Sequence, residues 1–315
     1  MIARHVAGPP SSPAAVRAAR GGCPGGELVP RLLALGHVTF DRHEGRDLVG
    51  GSVSYAALAA RRLGWEAGVL TAAGPDFAPE RDLPGVTVFV GRGAATTRFQ
   101  NVYGDGGARS QFLQARAPDV ELQPLPPEWR APEALLLGPV AGELPGSWAP
   151  SFEAGVVGAI AQGWVREFDP ADGRVGACPW RDPRQALFGV HVLFLSEHDL
   201  PEAAERAREL LGLVPMVALT RGWRGLTLLT RAGAWDVPAL PRPEVDPTGA
   251  GDVFAAAFLV RYHECDDPLE AAAFAACAAS CVVEGPGLSS LGDRAEVERR
   301  LVLRERLVED GEWEE

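Results

Sequence analysis

A chain of 315 residues is long enough for one large α/β domain or two modest ones, and a formal net charge of -12 argues against nucleic acid and anionic membranes as partners. All 30 basic residues are arginine. That excludes a phosphate-loop lysine, the strand lysine of protein kinases and a lysine Schiff base, so a phosphotransferase built on this chain must use backbone N–H groups, Mg²⁺ and arginine.

The five cysteines are scattered without a C-x-x-C pair and read as reduced thiols of a cytoplasmic protein. The six histidines show no metal spacing: His37 and His43 straddle Asp41, but no third nitrogen or sulfur ligand is in view. No apolar run reaches the ~18 residues that a membrane span needs.

Residues 1–28, rich in Ala, Gly, Pro and Arg and without a carboxylate before Glu27, are expected to form a disordered tail ahead of a single domain over 29–308. The run 32–36 reads as a buried strand, with Thr39 and Asp41 just past its C-terminal end, where open α/β sheets bind ligands. Gly50 and Gly51 then open an alanine-rich helix that stops at Gly64. Residues 67–73 and 85–90 lean to β structure, and 96–117 form a hairpin around Gly104-Asp105-Gly106-Gly107. Arg98, Arg109 and Arg116 on that hairpin could meet phosphate charge or simply face solvent.

A strand over 134–138, a helix-competent segment over 148–153 and a strand over 156–160 follow, the last delivering Ala161-Gln162-Gly163 at its C-terminal edge. The strand 191–195 empties into Ser196-Glu197-His198-Asp199, whose serine and carboxylate suit either a hard cation or a helix N-cap. Another buried strand, 216–219, ends in Thr220-Arg221-Gly222-Trp223-Arg224-Gly225. Short strands at 226–229 and 234–237, an alanine-rich buried helix at 269–281, an amphipathic helix at 294–308 and an acidic tail over 309–315 complete the chain.

Between the last strands and helices lies Asp246-Pro247-Thr248-Gly249-Ala250-Gly251-Asp252, running into Val253-Phe254-Ala255-Ala256-Ala257. Two glycines allow a tight turn, and the alanine-rich run after them forms a helix whose first N–H groups lack carbonyl partners, a place for a phosphate oxygen. A carboxylate beside such a cradle repels the ligand unless it has a task of its own, and taking a proton from an attacking hydroxyl is such a task for Asp252.

This D-x-x-G-A-G-D heptad resembles the signature of the ribokinase, or PfkB, carbohydrate kinase family. The Gly50-Gly51 pair opening a helix that closes in Leu63-Gly64, with Asp41 shortly before it, is similar to that family's acceptor-binding motif. The resemblance covers about residues 32–284 and implies a ribokinase-like three-layer α/β fold with a mostly parallel central sheet and a small, reduced β lid. Only eight residues separate Asp41 from Gly50, so one half of the lid is expected to be short or missing.

The resemblance also implies roles. Asp252 would be the general base, with Gly249, Ala250 and Gly251 as the anion hole; Thr39, Asp41, Gly51 and Tyr55 would meet the acceptor, Tyr55 standing where the sugar kinases have Asn. Thr220, Gly222, Gly225 and Thr248 would contact the nucleotide, and Ser196 and Asp199 would help hold Mg²⁺. Asp246 would keep the loop's shape, beside a monovalent cation as in relatives. The implied reaction moves the γ-phosphoryl group of ATP to a hydroxyl of a small neutral polyol, a sugar or a cyclitol such as myo-inositol, in a monomer or homodimer. A nucleoside acceptor and a catalytically degenerate sensor are the alternatives.

Overall fold

The structure, a computed structural model, describes residues 29–43, 45–103 and 109–309; the expected N-terminal tail, the 104–107 turn and most of the acidic C-terminal tail lie outside these residues. No helix among them is long and apolar enough to cross a membrane.

The main sheet has nine strands. In chain order they are β1 (Arg31–Leu35), β4 (Glu66–Ala73), β5 (Thr87–Arg92), β8 (Ala134–Leu137), β9 (Val156–Ile160), β12 (Val192–Ser196), β13 (Met216–Thr220), β14 (Leu226–Thr230) and β15 (Gly233–Val237). Their spatial order is β15-β14-β13-β12-β9-β8-β1-β4-β5. Pairing is parallel from β13 to β5, while β14 and β15 run antiparallel at one edge.

The apolar runs of the central strands are continuous because both faces are covered. On β1, Leu32 and Ala34 enter one core and Leu33 and Leu35 the other; on β12, Val192 and Phe194 separate from Leu193 and Leu195 in the same way. The first core lies under α1 (Ser52–Arg62), α5 (Ala250–Cys265) and α6 (Pro268–Val282), with α7 (Arg294–Glu309) outside them. The second is closed by α4 (Ala203–Leu210), the one-turn helix α3 (Pro183–Ala186) and aromatic loop residues such as Trp129. A second one-turn helix, α2 (Pro79–Asp82), links β4 to β5. The expected helix over 148–153 is only a 3-10 turn, Ala149–Ser151, ended by Phe152 in an extended conformation.

A second sheet of order β3-β2-β6-β7 stands beside the C-terminal strand ends and forms the lid: β2 (Thr39–His43), β3 (Arg46–Gly50), β6 (Thr97–Tyr103) and β7 (Arg109–Ala115). The half expected to be short or missing is present, since five-residue strands suffice for a complete hairpin from Thr39↔Gly50 to His43↔Arg46. The lid is further braced by a small hairpin absent from the sequence reading, β10 (Arg166–Phe168) with β11 (Val175–Ala177). Leu113 N–H donates to Gly173 O at 2.8 Å, and Phe99, Leu113 and Phe168 pack together.

Candidate active site

Asp252 lies in the first turn of α5 because Gly249, at φ 82, takes a left-handed conformation and starts the helix at Ala250. Glycine is required at 249 twice over: a side chain there would adopt a strained φ and would run into the ring of Tyr55. At Gly251 nothing lies within 4 Å of where a side chain would stand, so the helix start opens onto free space. The N–H groups of Gly251 and Asp252 face that space at a helix N-terminus, the geometry that attracts an anion.

Asp246 shapes the loop before it. Its Oδ1 accepts from Thr248 N at 2.9 Å and its Oδ2 from Gly287 N at 3.1 Å. Both oxygens serve backbone N–H groups, so this carboxylate holds the turn.

Burial pushes the Asp252 carboxyl up to about 6. The Ser52 hydroxyl beside it and the charge of Arg166 oppose the rise, while the negative charges of Asp199 and Asp41 add to it. Three acids from distant parts of the chain are therefore within electrostatic reach of one another. Ser52, at the start of α1, is buried at 1% exposure beside the Asp252 carboxyl, and its Oγ makes no hydrogen bond of good geometry among the described residues.

Asp41 comes from β2. Thr39, almost fully buried, donates from Oγ1 to Asp41 Oδ1 at 3.3 Å, and the carboxylate lies where a side chain at Gly50 would stand. Tyr55 is placed differently from expectation. At 3% exposure it belongs to the core under α1, its ring against Gly249, and it presents no face to an acceptor.

On the donor side, Ser196 and Asp199 form a closed turn of their own: Ser196 N donates to Asp199 Oδ2 at 2.7 Å, and His198 N to Ser196 Oγ at 3.2 Å. They do not cap the next helix, which begins at Ala203 after Glu202 in a left-handed conformation. Burial raises the Asp199 carboxyl despite the Ser196 N–H and the Arg166 charge. Thr220, one strand away, leans its hydroxyl toward Leu195 O at 3.4 Å, and Gly222 and Gly225, at φ 58 and 85, make the following turn. Ion pairs Arg221–Asp236 and Arg224–Glu197 pin that turn on either side of Trp223, which is 77% exposed.

The residue that sequence reasoning left without a role is Arg166. Half-buried at the start of β10, it donates weakly to Val140 O at 3.5 Å, and its charge bears on both Asp199 and Asp252. The signal was the Ala161-Gln162-Gly163 run that leads to it, in a chain where arginine must supply any side-chain cation. The lid arginines are otherwise engaged. Arg98 pairs with Asp47 and Asp76 and covers the Phe40 ring, and Arg116 is bound to Ala141 O and Asp119. The Arg109 side chain lies outside the described residues.

A Mg²⁺ ion keeps several of its waters and needs only one or two carboxylates beside substrate phosphates. Asp199 and Asp252, with the Ser196 hydroxyl, are a hard oxygen set of that kind, although no group of three or more His, Cys, Asp or Glu side chains gathers among the described residues.

Residues 181–293 match the family model described as pfkB family carbohydrate kinase. The chain is 28% identical to a cytidine kinase of Thermococcus kodakarensis over 265 residues, covering 76% of this chain and 90% of that one. It is 27% identical to a nucleoside kinase of Methanothermobacter thermautotrophicus over 315 residues, covering 87% and 96%. Among solved structures, a pyrophosphate-dependent kinase in the ribokinase family superposes with a TM-score of 0.72 at 23% identity, over 85% of this chain and 99% of that one. The same kind of kinase, complexed with a pyrophosphate analog and myo-inositol, superposes with a TM-score of 0.70.

Proposed function

We propose that this protein is a kinase of the PfkB, ribokinase-like family that takes the γ-phosphoryl group of ATP and delivers it to a small neutral polyol, a cyclitol such as myo-inositol or a sugar. The observation that carries this reading is that the lid carboxylate of Asp41 lies within electrostatic reach of Asp252. A carboxylate on the lid binds vicinal hydroxyls and repels an acceptor phosphate. His37, the one basic residue in the stretches 36–41 and 50–55, is fully buried with both ring nitrogens bonded and is not open to a phosphosugar.

In this reading the acceptor hydroxyl lies between Asp41 and Asp252. Asp252 accepts its proton as the oxygen attacks phosphorus, and Ser52 keeps the carboxylate turned toward it. The first-turn N–H groups of α5 bind the charge that grows on the transferred group, and Arg166 adds a side-chain cation on the same side. Mg²⁺, held from the Asp199 side, would neutralise charge on the donor phosphates.

A nucleoside acceptor is the second reading, favoured by the names of the two curated relatives. It gains no stacking surface from Tyr55, whose ring is buried. The test is phosphate transfer from ATP to myo-inositol, ribose, fructose, adenosine, cytidine and fructose 6-phosphate under one set of conditions. A neutral polyol should show the highest kcat/KM; a nucleoside at the top would promote the second reading, and fructose 6-phosphate at the top would end both.

A further inference from the structure

Four stretches of chain cross between the main sheet and the lid: residues 36–38 from β1 to β2, residue 51 from β3 to α1, residues 93–96 from β5 to β6, and residues 116–118 leaving β7. His37, itself on the first crossing and fully buried, touches the second and the fourth, and the β6 residue at which the third ends. Its Nδ1 meets Oγ1 of Thr97, the residue that opens β6, at 2.8 Å, and its Nε2 meets Pro118 O at 2.8 Å. Its own carbonyl lies where a side chain on Gly51 would stand, so that crossing is made by glycine at φ 88.

The bonding pattern fixes the protons. Pro118 O can only accept, so Nε2 carries the hydrogen and Nδ1 accepts from the Thr97 hydroxyl, which in turn accepts from Ala117 N at 2.9 Å. The His37 backbone N–H donates to Glu143 Oε1 at 2.7 Å. Glu143 is also fully buried, and it takes the N–H groups of Val140 and Ala141 on the loop after β8 at 3.0 and 2.7 Å. A buried carboxylate satisfied by backbone donors of two elements ties those elements rigidly, because breaking any bond strands a polar group.

We propose that the His37–Glu143 pair is the positioning device of the acceptor site: it sets the lid, and with it Asp41 four residues further along, at the separation from Asp252 that admits an acceptor hydroxyl and keeps water out. Neither side chain touches the reacting atoms. Their effect is transmitted through β2 and β6, and it rests on the kinase reading given above.

The test uses the full chain. Thr97→Val keeps the volume and removes the hydroxyl on which His37 Nδ1 and Ala117 N–H depend; Thr97→Ser keeps the hydroxyl. With ATP and the acceptor the wild type uses best, Thr97→Val should raise acceptor KM about tenfold, leave ATP KM within about twofold and raise ATP hydrolysis relative to transfer, while Thr97→Ser stays near wild type. Hydrogen exchange at residues 38–43 and 97–102 should quicken in Thr97→Val with β12 and β13 unchanged. Should Thr97→Val not fold, His37→Gln, which keeps a donor toward Pro118 O, is read in the same way. Acceptor and ATP KM moving together, an unchanged hydrolysis ratio, or exchange that quickens everywhere alike would overturn the proposal. The exchange arm needs no activity, so a wild type that transfers nothing would end the kinase reading and still leave the latch tested.

Discussion

Asp252 must be ionised to take a proton, yet its burial resists ionisation, and the two demands meet in a carboxyl raised to about 6. As general base it is competent only when deprotonated, so kcat/KM should rise as pH increases through about 6 and level off above it; an acid limb centred near 4 would remove Asp252 from that role. Asp252→Asn leaves the anion hole in place, and should lower kcat by about 10² to 10⁴ with ATP affinity within a few-fold. The same substitution should stabilise the fold. The group's folded value lies above its ordinary 3.8, so the folded state holds the proton more tightly and pays for ionisation, a cost absent below about 3.8 and complete above about 6. Melting temperature of Asp252→Asn should therefore exceed wild type by a few degrees at about pH 7, corresponding to on the order of 1 kcal/mol, and the difference should close at about pH 4. Equal melting curves at both pH values would mean that the carboxylate is not under strain.

At the scale of elements, the parallel strands were legible because two covered faces demand unbroken apolar runs, and α5 because an alanine-rich stretch follows two glycines. The acid at its first turn was legible for the same reason. What escaped was everything decided by distant partners. Tyr55 looks like an acceptor-facing ring in sequence, and only the approach of α1 to Gly249 shows that it fills the gap between them. Arg166 gains its meaning from Asp199 and Asp252, which lie 33 and 86 residues further along the chain. The Ser196–Asp199 turn fits a helix cap by spacing, but Pro201 delays the helix to Ala203 and leaves the turn at the strand end for the donor side. Its carboxylate should act through the metal: Asp199→Ala should raise the Mg²⁺ needed for half-maximal rate more than it changes acceptor KM. A change confined to acceptor KM would place Asp199 on the other side of the reaction.

Across the whole molecule, two hydrophobic cores share one sheet, and the first is dominated by contacts between α5 and the helices beside it. Phe194 of β12 meets both Phe254 and Phe258 of α5, with ring centroids 5.9 and 5.6 Å apart. The helix that carries Asp252 is thus anchored to the strand that leads to Ser196, which keeps Asp252 and Asp199 in fixed relation. Phe258→Ala, at 0% exposure, should cost about 3 to 5 kcal/mol of stability in denaturant titration, and much less would show that this anchor is dispensable. Tyr55 extends the same connectivity to the acceptor side, since its ring, carried by the helix that follows the lid, rests directly on the residue that starts the anion site. An acceptor held beside the lid and ATP held at the start of α5 would therefore be coupled through that ring without touching it: whatever factor the acceptor contributes to the affinity for ATP, ATP must return to the acceptor. Tyr55→Ala should bring that factor toward one in both directions, measured as the dissociation constant of each ligand with the other absent and saturating, so that the aromatic wedge becomes visible as a thermodynamic linkage between two sites it never lines.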